Sequence, residues 1–179
     1  GPRMLNLLIS TYENAVLQNR ELTATQQALE DLNQHLEQKV LEKTAALRQS
    51  EMELKEAQRI AHVGNWILDS ATNQVVWSEE LYRMLGLDPT LPPPPYTEHH
   101  RLFTPESWKR LSTALPRTQE TGIPYELELE IVRGDGSMGW MLARGEPQLD
   151  AKGSIVGLRG VAQDISERKR AEAAIVTSE

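Results

Sequence analysis

No cysteine occurs among the 179 residues. That excludes disulfides, thiolate metal sites, thiol nucleophiles and any photochemistry that ends in a cysteinyl adduct. Long apolar runs are missing as well. Nothing approaches the roughly 18 consecutive apolar residues of a membrane span, and the stretch Met4 to Ile9 is far shorter and has no signal-peptide layout around it. There is no phosphate-cradling glycine loop, no Gly-x-Ser-x-Gly elbow and no Cys/His cluster at ligand spacing. No catalytic residue and no metal site is therefore expected, and His35 has neither a phosphoacceptor segment nor a kinase ATP motif near it. A basic surplus is lacking too. The formal net charge of −7 argues against nucleic acid or an anionic membrane as partner. A reducing cytoplasmic setting fits this composition.

Glycine and proline are also absent from Asn6 to Ile60, where Ala, Leu, Glu, Gln, Lys and Arg dominate. These are strong helix formers, and one long helix is predicted. Its apolar residues recur every seven positions at Leu8, Ala15, Leu22, Leu29 and Leu36. The series then resumes at Val40, Leu47, Leu54 and Ala61, displaced by four. A sustained seven-residue repeat marks a coiled coil, and a four-residue insertion locally unwinds it. The seam Leu22, Leu29, Leu36, Val40, Leu47 and Leu54 needs a partner helix, most simply its own copy in a parallel homodimer. Asn19 and Lys43 fall near the seam and soften it.

Beyond Gly64 the period changes to that of strands. Asn65 to Asp69 and Gln74 to Trp77 read as a hairpin. Ser78 is placed to cap a short helix, Glu79 to Leu85, which Gly86 stops. The prolines within Leu91 to Pro95 make a stiff extended connector. A helical patch from Thr97 to Leu102 follows, and then a helix from Pro105 toward Thr118, with Pro116 expected to bend or shorten its last turn. Tyr125 to Ile131 alternates strictly, Gly134-Asp135-Gly136 turns, Trp140 to Glu146 returns, and Ile155 to Ile165 runs out as the last strand. Ser166 is placed to cap a further helix beginning at Glu167. That helix is cut off at Glu179, so the chain is expected to be a piece of something longer.

Two strands, short helices, three antiparallel strands and an exit helix form the order of a PAS domain. Several stretches resemble that family: Gly64-Asn65-Trp66, Trp77 to Tyr82, Tyr125 to Arg133 with Asp135-Gly136, and Gly157 to Lys169. The last resembles the Asp-Ile-Thr ending that joins PAS domains to output helices, with Ser166 in place of Thr. Leu32 to Val40, continued through Thr44, Leu47 and Ser50-Glu51, is similar to the linker helix ahead of PAS domains in bacterial sensor kinases.

The resemblance implies an α+β fold: a coiled-coil helix over 1–60, a PAS domain with a five-stranded antiparallel sheet over 61–166, and the start of a linker helix over 167–179. It implies the sensory or relay region of a bacterial signalling protein, most simply a histidine kinase. In that setting Asp164, Ile165 and Ser166 would transmit the signal. Candidate pocket residues are Trp66, Trp77, Met84, His99, Leu127, Trp140 and Leu142. Some family members hold haem next to a histidine in the region of His99 and His100, and others hold flavin, so the cofactor stays open. Adjacent helical residues cannot both face inward, so at most one of these histidines serves a pocket. The tryptophans also make sense as packing anchors with no ligand. A ligand-free dimerisation spacer, or the input domain of a diguanylate cyclase or chemotaxis-type protein, remains the alternative.

Overall fold

A computed structural model describes residues 1–176, the side chain of Val176 excepted. The last residues of the expected exit segment, 177–179, lie outside the described residues. The chain divides into two compact units, Gly1–Glu53 and Leu54–Glu179. Helix α1 (Pro2–Ala61) is uninterrupted and buries none of its residues. Amide–carboxylate pairs one turn apart support it at Gln27–Asp31, Gln38–Glu42 and Gln49–Glu53. Leu22, Leu29, Leu36, Val40, Leu47 and Leu54 all remain exposed along it. Each would gain roughly 1.5–3 kcal/mol if fully buried against a partner.

The folded module begins where α1 ends. Strands β1 (Val63–Asp69) and β2 (Val75–Trp77) form the expected hairpin, α2 (Glu79–Leu85) follows, and a 3-10 helix spans Tyr96–Leu102. Then come α3 (Pro105–Thr121), β3 (Tyr125–Val132), β4 (Met138–Leu149), β5 (Ile155–Asp164) and α4 (Ser166–Val176). All strand pairs are antiparallel, in the order β2-β1-β5-β4-β3. The five-stranded sheet buries one face beneath α2, the 3-10 helix and α3. Leu81, Leu85, Leu102, Phe103, Leu111, Leu129, Ile131 and Met141 make the core there. Leu129, Ile131 and Leu158 retain no solvent exposure.

Local details differ from the sequence expectation for identifiable reasons. Helix α3 continues through Pro116 to Thr121, because Thr118 is buried within it and Gly122, at φ +73°, donates to the Thr118 carbonyl at 2.9 Å. Ser78 stands at the start of α2 but makes no capping bond. Its hydroxyl accepts from the Asn65 N–H at 2.9 Å, tying α2 to β1. Likewise, Ser166 is not the cap of α4. Its own N–H is capped by Asp164 Oδ1 at 2.8 Å. The patch before α3 is tightened to 3-10 pitch, and β4 runs longer than Trp140 to Glu146, with an irregularity at Gln148/Leu149.

Candidate functional site: an aromatic cavity and the exit junction

Side chains alternate across a strand, so register alone decides which residues meet beneath the helices. One row crosses all five strands: Tyr125, Gly145, Gly160, Trp66 and Trp77 are successive cross-strand partners. The two glycines make room for the two flanking rings. A methyl group at Gly145 would stand 2.3 Å from the Tyr125 ring, and one at Gly160 would stand 2.6 Å from the Trp66 ring. Trp66 and Tyr125 therefore lie flat against bare backbone and close one side of the core.

Above this row is a cavity of about 80 Å3. Aliphatic walls come from Leu81, Leu85, Leu102, Leu129, Met141 and Ala162, and aromatic ones from Trp66, Trp77, Tyr96, Phe103 and Tyr125, with His99 at the edge. The His99 ring sits 5.3 Å from Trp77 and 5.6 Å from Tyr96, centroid to centroid, and Tyr96 in turn packs on Trp108. His99 Nε2 is 2.8 Å from the Pro94 carbonyl. A carbonyl only accepts, so Nε2 carries the proton and Nδ1 is left as an acceptor. Burial lowers the His99 pKa, partly offset by that carbonyl contact, which keeps the ring neutral. Burial also raises the pKa of the Tyr96 and Tyr125 phenols, the latter further because Tyr96 is close by. Both remain hydroxyl donors near neutral pH. The proline tract is pinned at two points, where Leu91 accepts from the Tyr82 hydroxyl at 2.9 Å and Pro94 from His99.

Three of the candidate pocket residues, Trp66, Trp77 and His99, come together around this cavity. Met84 is buried in the core without lining the cavity, and Leu127 packs at the core's margin. Trp140 and Leu142 occupy the opposite face of β4, because their neighbours Met141 and Ala143 take the inward positions. Trp140 instead lies beneath the Lys169 ammonium, 5.0 Å from its ring centroid. Tyr96 and Tyr125 were missed by sequence reasoning. The Tyr125 signal was available in the alternation of β3, but its pairing with two glycines needed the register.

Fit of the family's larger cofactors can be tested on this geometry. Pockets for drug-sized ligands run to about 300–1,000 Å3, several times this cavity. The His99 nitrogen Nε2 is already committed to Pro94. Neither haem nor a flavin fits the residues as they are packed. Among the described residues, no group of three or more His, Asp or Glu side chains is arranged to hold a metal ion.

A second constellation lies where the sheet meets its connecting helices. Arg133 donates from Nε to the Met84 carbonyl at 3.0 Å and from Nη1 to the Met138 carbonyl at 2.9 Å. From Nη2 it reaches Asp164 Oδ2 at 3.2 Å and Ser166 Oγ at 3.3 Å. Gly139 leaves room for the guanidinium, which a methyl group there would displace from its present position. Ser166 Oγ also accepts from the Trp140 N–H at 2.9 Å. The Asp164 N–H donates to the carbonyl of His62 at 3.0 Å. His62 connects α1 to β1 in a left-handed conformation, φ +51°, and its Nδ1 lies 3.7 Å from the nearly buried Glu80 carboxylate. The incoming and outgoing junctions of the module are thus directly bonded. Farther along α4, Arg168 and Lys169 both pair with Glu128 on the outer face of β3. Arg133 had no separate signal in the sequence beyond its place before the Gly134-Asp135-Gly136 turn.

The cavity and the junction share elements. Met141 lines the cavity and is the cross-strand partner of Asp164. Leu85 lines the cavity while its carbonyl accepts from Gly134, next to Arg133, at 2.9 Å.

Similarity to known proteins agrees with this arrangement. The PAS fold family matches residues 74–162. A blue-light-activated histidine kinase of Brucella anthropi is 31% identical over 125 residues, covering 67% of this chain and 24% of that protein. The sensor protein FixL of Bradyrhizobium diazoefficiens is 28% identical over 117 residues, covering 65% and 23%. The chain thus spans about a quarter of the length of these curated relatives. A sensory box histidine kinase/response regulator structure from Burkholderia thailandensis superposes with a TM-score of 0.57 at 24% identity, covering 70% of this chain and 93% of that one. Sheet order, flanking helices, the Asp164-Ile165-Ser166 ending and these matches agree: residues 74–162 of this chain are a PAS domain, preceded by a long helix.

Proposed function

We propose that this chain is the sensory and relay region of a signal-transduction protein, of the histidine-kinase kind, and that it works as a parallel dimer joined along α1. In this reading residues 1–60 are the coiled-coil segment, 61–166 the sensing domain, and the residues from 167 onward the start of an output linker. The domain itself performs no chemistry. The observation that carries the reading is the junction, where Arg133 holds α2, β4, Asp164 and Ser166 together while Asp164 bonds the residue that ends the incoming helix. A shift of α2 or of Met141 would change the support of α4 without any long-range intermediary. Transmission requires a stimulus that binds two arrangements of these elements with different affinity.

The similarity to a blue-light-activated histidine kinase and to a sensor protein supports the histidine-kinase assignment, and a cavity with Tyr96, His99 and Tyr125 among its apolar walls favours sensing over a spacer role. In the full-length protein, Asp164→Ala should uncouple stimulus from output while leaving the output activity itself present. Retained stimulus dependence would refute the relay. Deleting residues 37–40, which restores a continuous seven-residue repeat, should shift the output level. An unchanged level would remove the four-residue displacement from the mechanism.

A further inference from the structure

The lining of the cavity specifies its occupant. Among its lining residues none carries a charge, and its surface is overwhelmingly hydrocarbon and aromatic. Burying an unpaired ion against such walls is prohibitive. An anionic or cationic ligand is thereby excluded on chemistry alone. The polar exceptions gather at one side: the His99 ring packs on Tyr96, and Tyr96 lies close enough to influence the Tyr125 phenol. His99 Nδ1 offers an acceptor, and the two phenols offer hydroxyls that donate or accept. Size is bounded as sharply. An apolar cavity of roughly 150 Å3 accommodates benzene. Half that volume, walled on one side by the Trp66 and Tyr125 rings lying on Gly160 and Gly145, admits about three or four heavy atoms.

We propose that the stimulus of this domain is a small uncharged molecule of a few heavy atoms, with an apolar body and one hydrogen-bonding head received by Tyr96, Tyr125 and His99. This rests on the sensory reading above and names the ligand class of that site. Such a molecule would reach Met141 and Leu85, the two lining residues that adjoin the junction.

The test uses the 179-residue protein and four probes: propan-1-ol, propionate, propylammonium and xenon. The methyl resonances of Ala143, Ala162 and Met141 report occupancy. Propan-1-ol should shift them saturably, propionate and propylammonium should not, and xenon should shift them without regard to the hydroxyls. Tyr96→Phe or Tyr125→Phe should weaken propan-1-ol about fivefold, the weight of one hydrogen bond, and leave xenon unchanged. Binding of either ion as strong as the alcohol's would overturn the proposal. So would an alcohol response indifferent to both phenylalanine variants, or no methyl shift with any probe. None of these outcomes bears on the relay, which fails separately if Asp164→Ala leaves output coupled to stimulus.

Discussion

Asp164 is the residue whose replacement separates the forces at the exit junction. Its two carboxylate oxygens do different work: Oδ1 accepts from the Ser166 N–H at 2.8 Å and caps α4, while Oδ2 pairs with Arg133 at 3.2 Å. Asp164→Asn keeps an oxygen for the cap and removes the charge. Asp164→Ala removes both. Losing a helix cap costs about 1 kcal/mol. The pair is partly buried, with side-chain exposures of 20% for Arg133 and 27% for Asp164. Stripping its partner leaves a guanidinium held by two carbonyls but no anion, at a cost of about 1–2 kcal/mol. Asparagine should therefore destabilise by about 1–2 kcal/mol and alanine by about 2–3 kcal/mol. Urea unfolding monitored by tryptophan fluorescence measures both, and amide exchange at Ser166 to Lys169 shows whether the extra loss in alanine sits in α4. A cycle with Arg133→Met gives the coupling energy directly. Equal stability of the asparagine and alanine proteins would refute the cap. A coupling energy near zero would refute the Arg133–Asp164 link.

Other outcomes follow from the same geometry. Gly160→Ala should cost several kcal/mol and alter tryptophan emission, because the new methyl meets both the Arg144 carbonyl and the Trp66 ring at 2.0 Å and 2.6 Å; a cost under about 0.5 kcal/mol would contradict the flat placement of that ring. Leu129→Ala should cost about 2–5 kcal/mol in the same urea assay, since the side chain is fully buried in the core beneath the helices. His99 has a lowered pKa in the folded state, so the stability it contributes is complete above the ordinary histidine pKa near 6.5 and is lost as pH falls below it. Unfolding free energy should drop as pH falls below about 6.5, with a shallower drop in His99→Gln; identical slopes would contradict the burial of the ring. Leu36→Asp, on the exposed seam of α1, should shift sedimentation equilibrium toward monomer while leaving the unfolding of the sheet module unchanged. A monomeric parent protein at tens of micromolar would refute the seam.

Much of the fold could be read from the sequence because its signals were local. The glycine- and proline-free stretch to Ile60 left only helix, the strict alternation from Tyr125 to Ile131 left only strand, and Gly86 ended a helix where its left-handed conformation was needed. Cap assignments were less legible. Ser78 and Ser166 have the right residue type at helix starts, yet their hydroxyls accept instead from Asn65 and Trp140, neighbours supplied only by the folded sheet. The cavity was partly legible for the same reason. Trp66 and Trp77 announced large inward rings, whereas the inward or outward sense of Trp140 and Leu142 depended on the phase of β4, which its glycines obscured. Arg133 was hidden because three of its four partners lie 31 to 49 residues away in sequence. No pattern in the chain marks such a convergence.

The absence of native cysteine makes a direct measurement of the relay possible. A spin label on Ala174→Cys, on the exposed surface of α4, reports the separation of the two exit helices in a dimer by dipolar coupling. A defined distance between copies that shifts when Asp164→Ala is added is the predicted result. An absence of coupling, or a distance distribution unaltered by that substitution, would contradict the claim that the sheet governs how the departing helices are held.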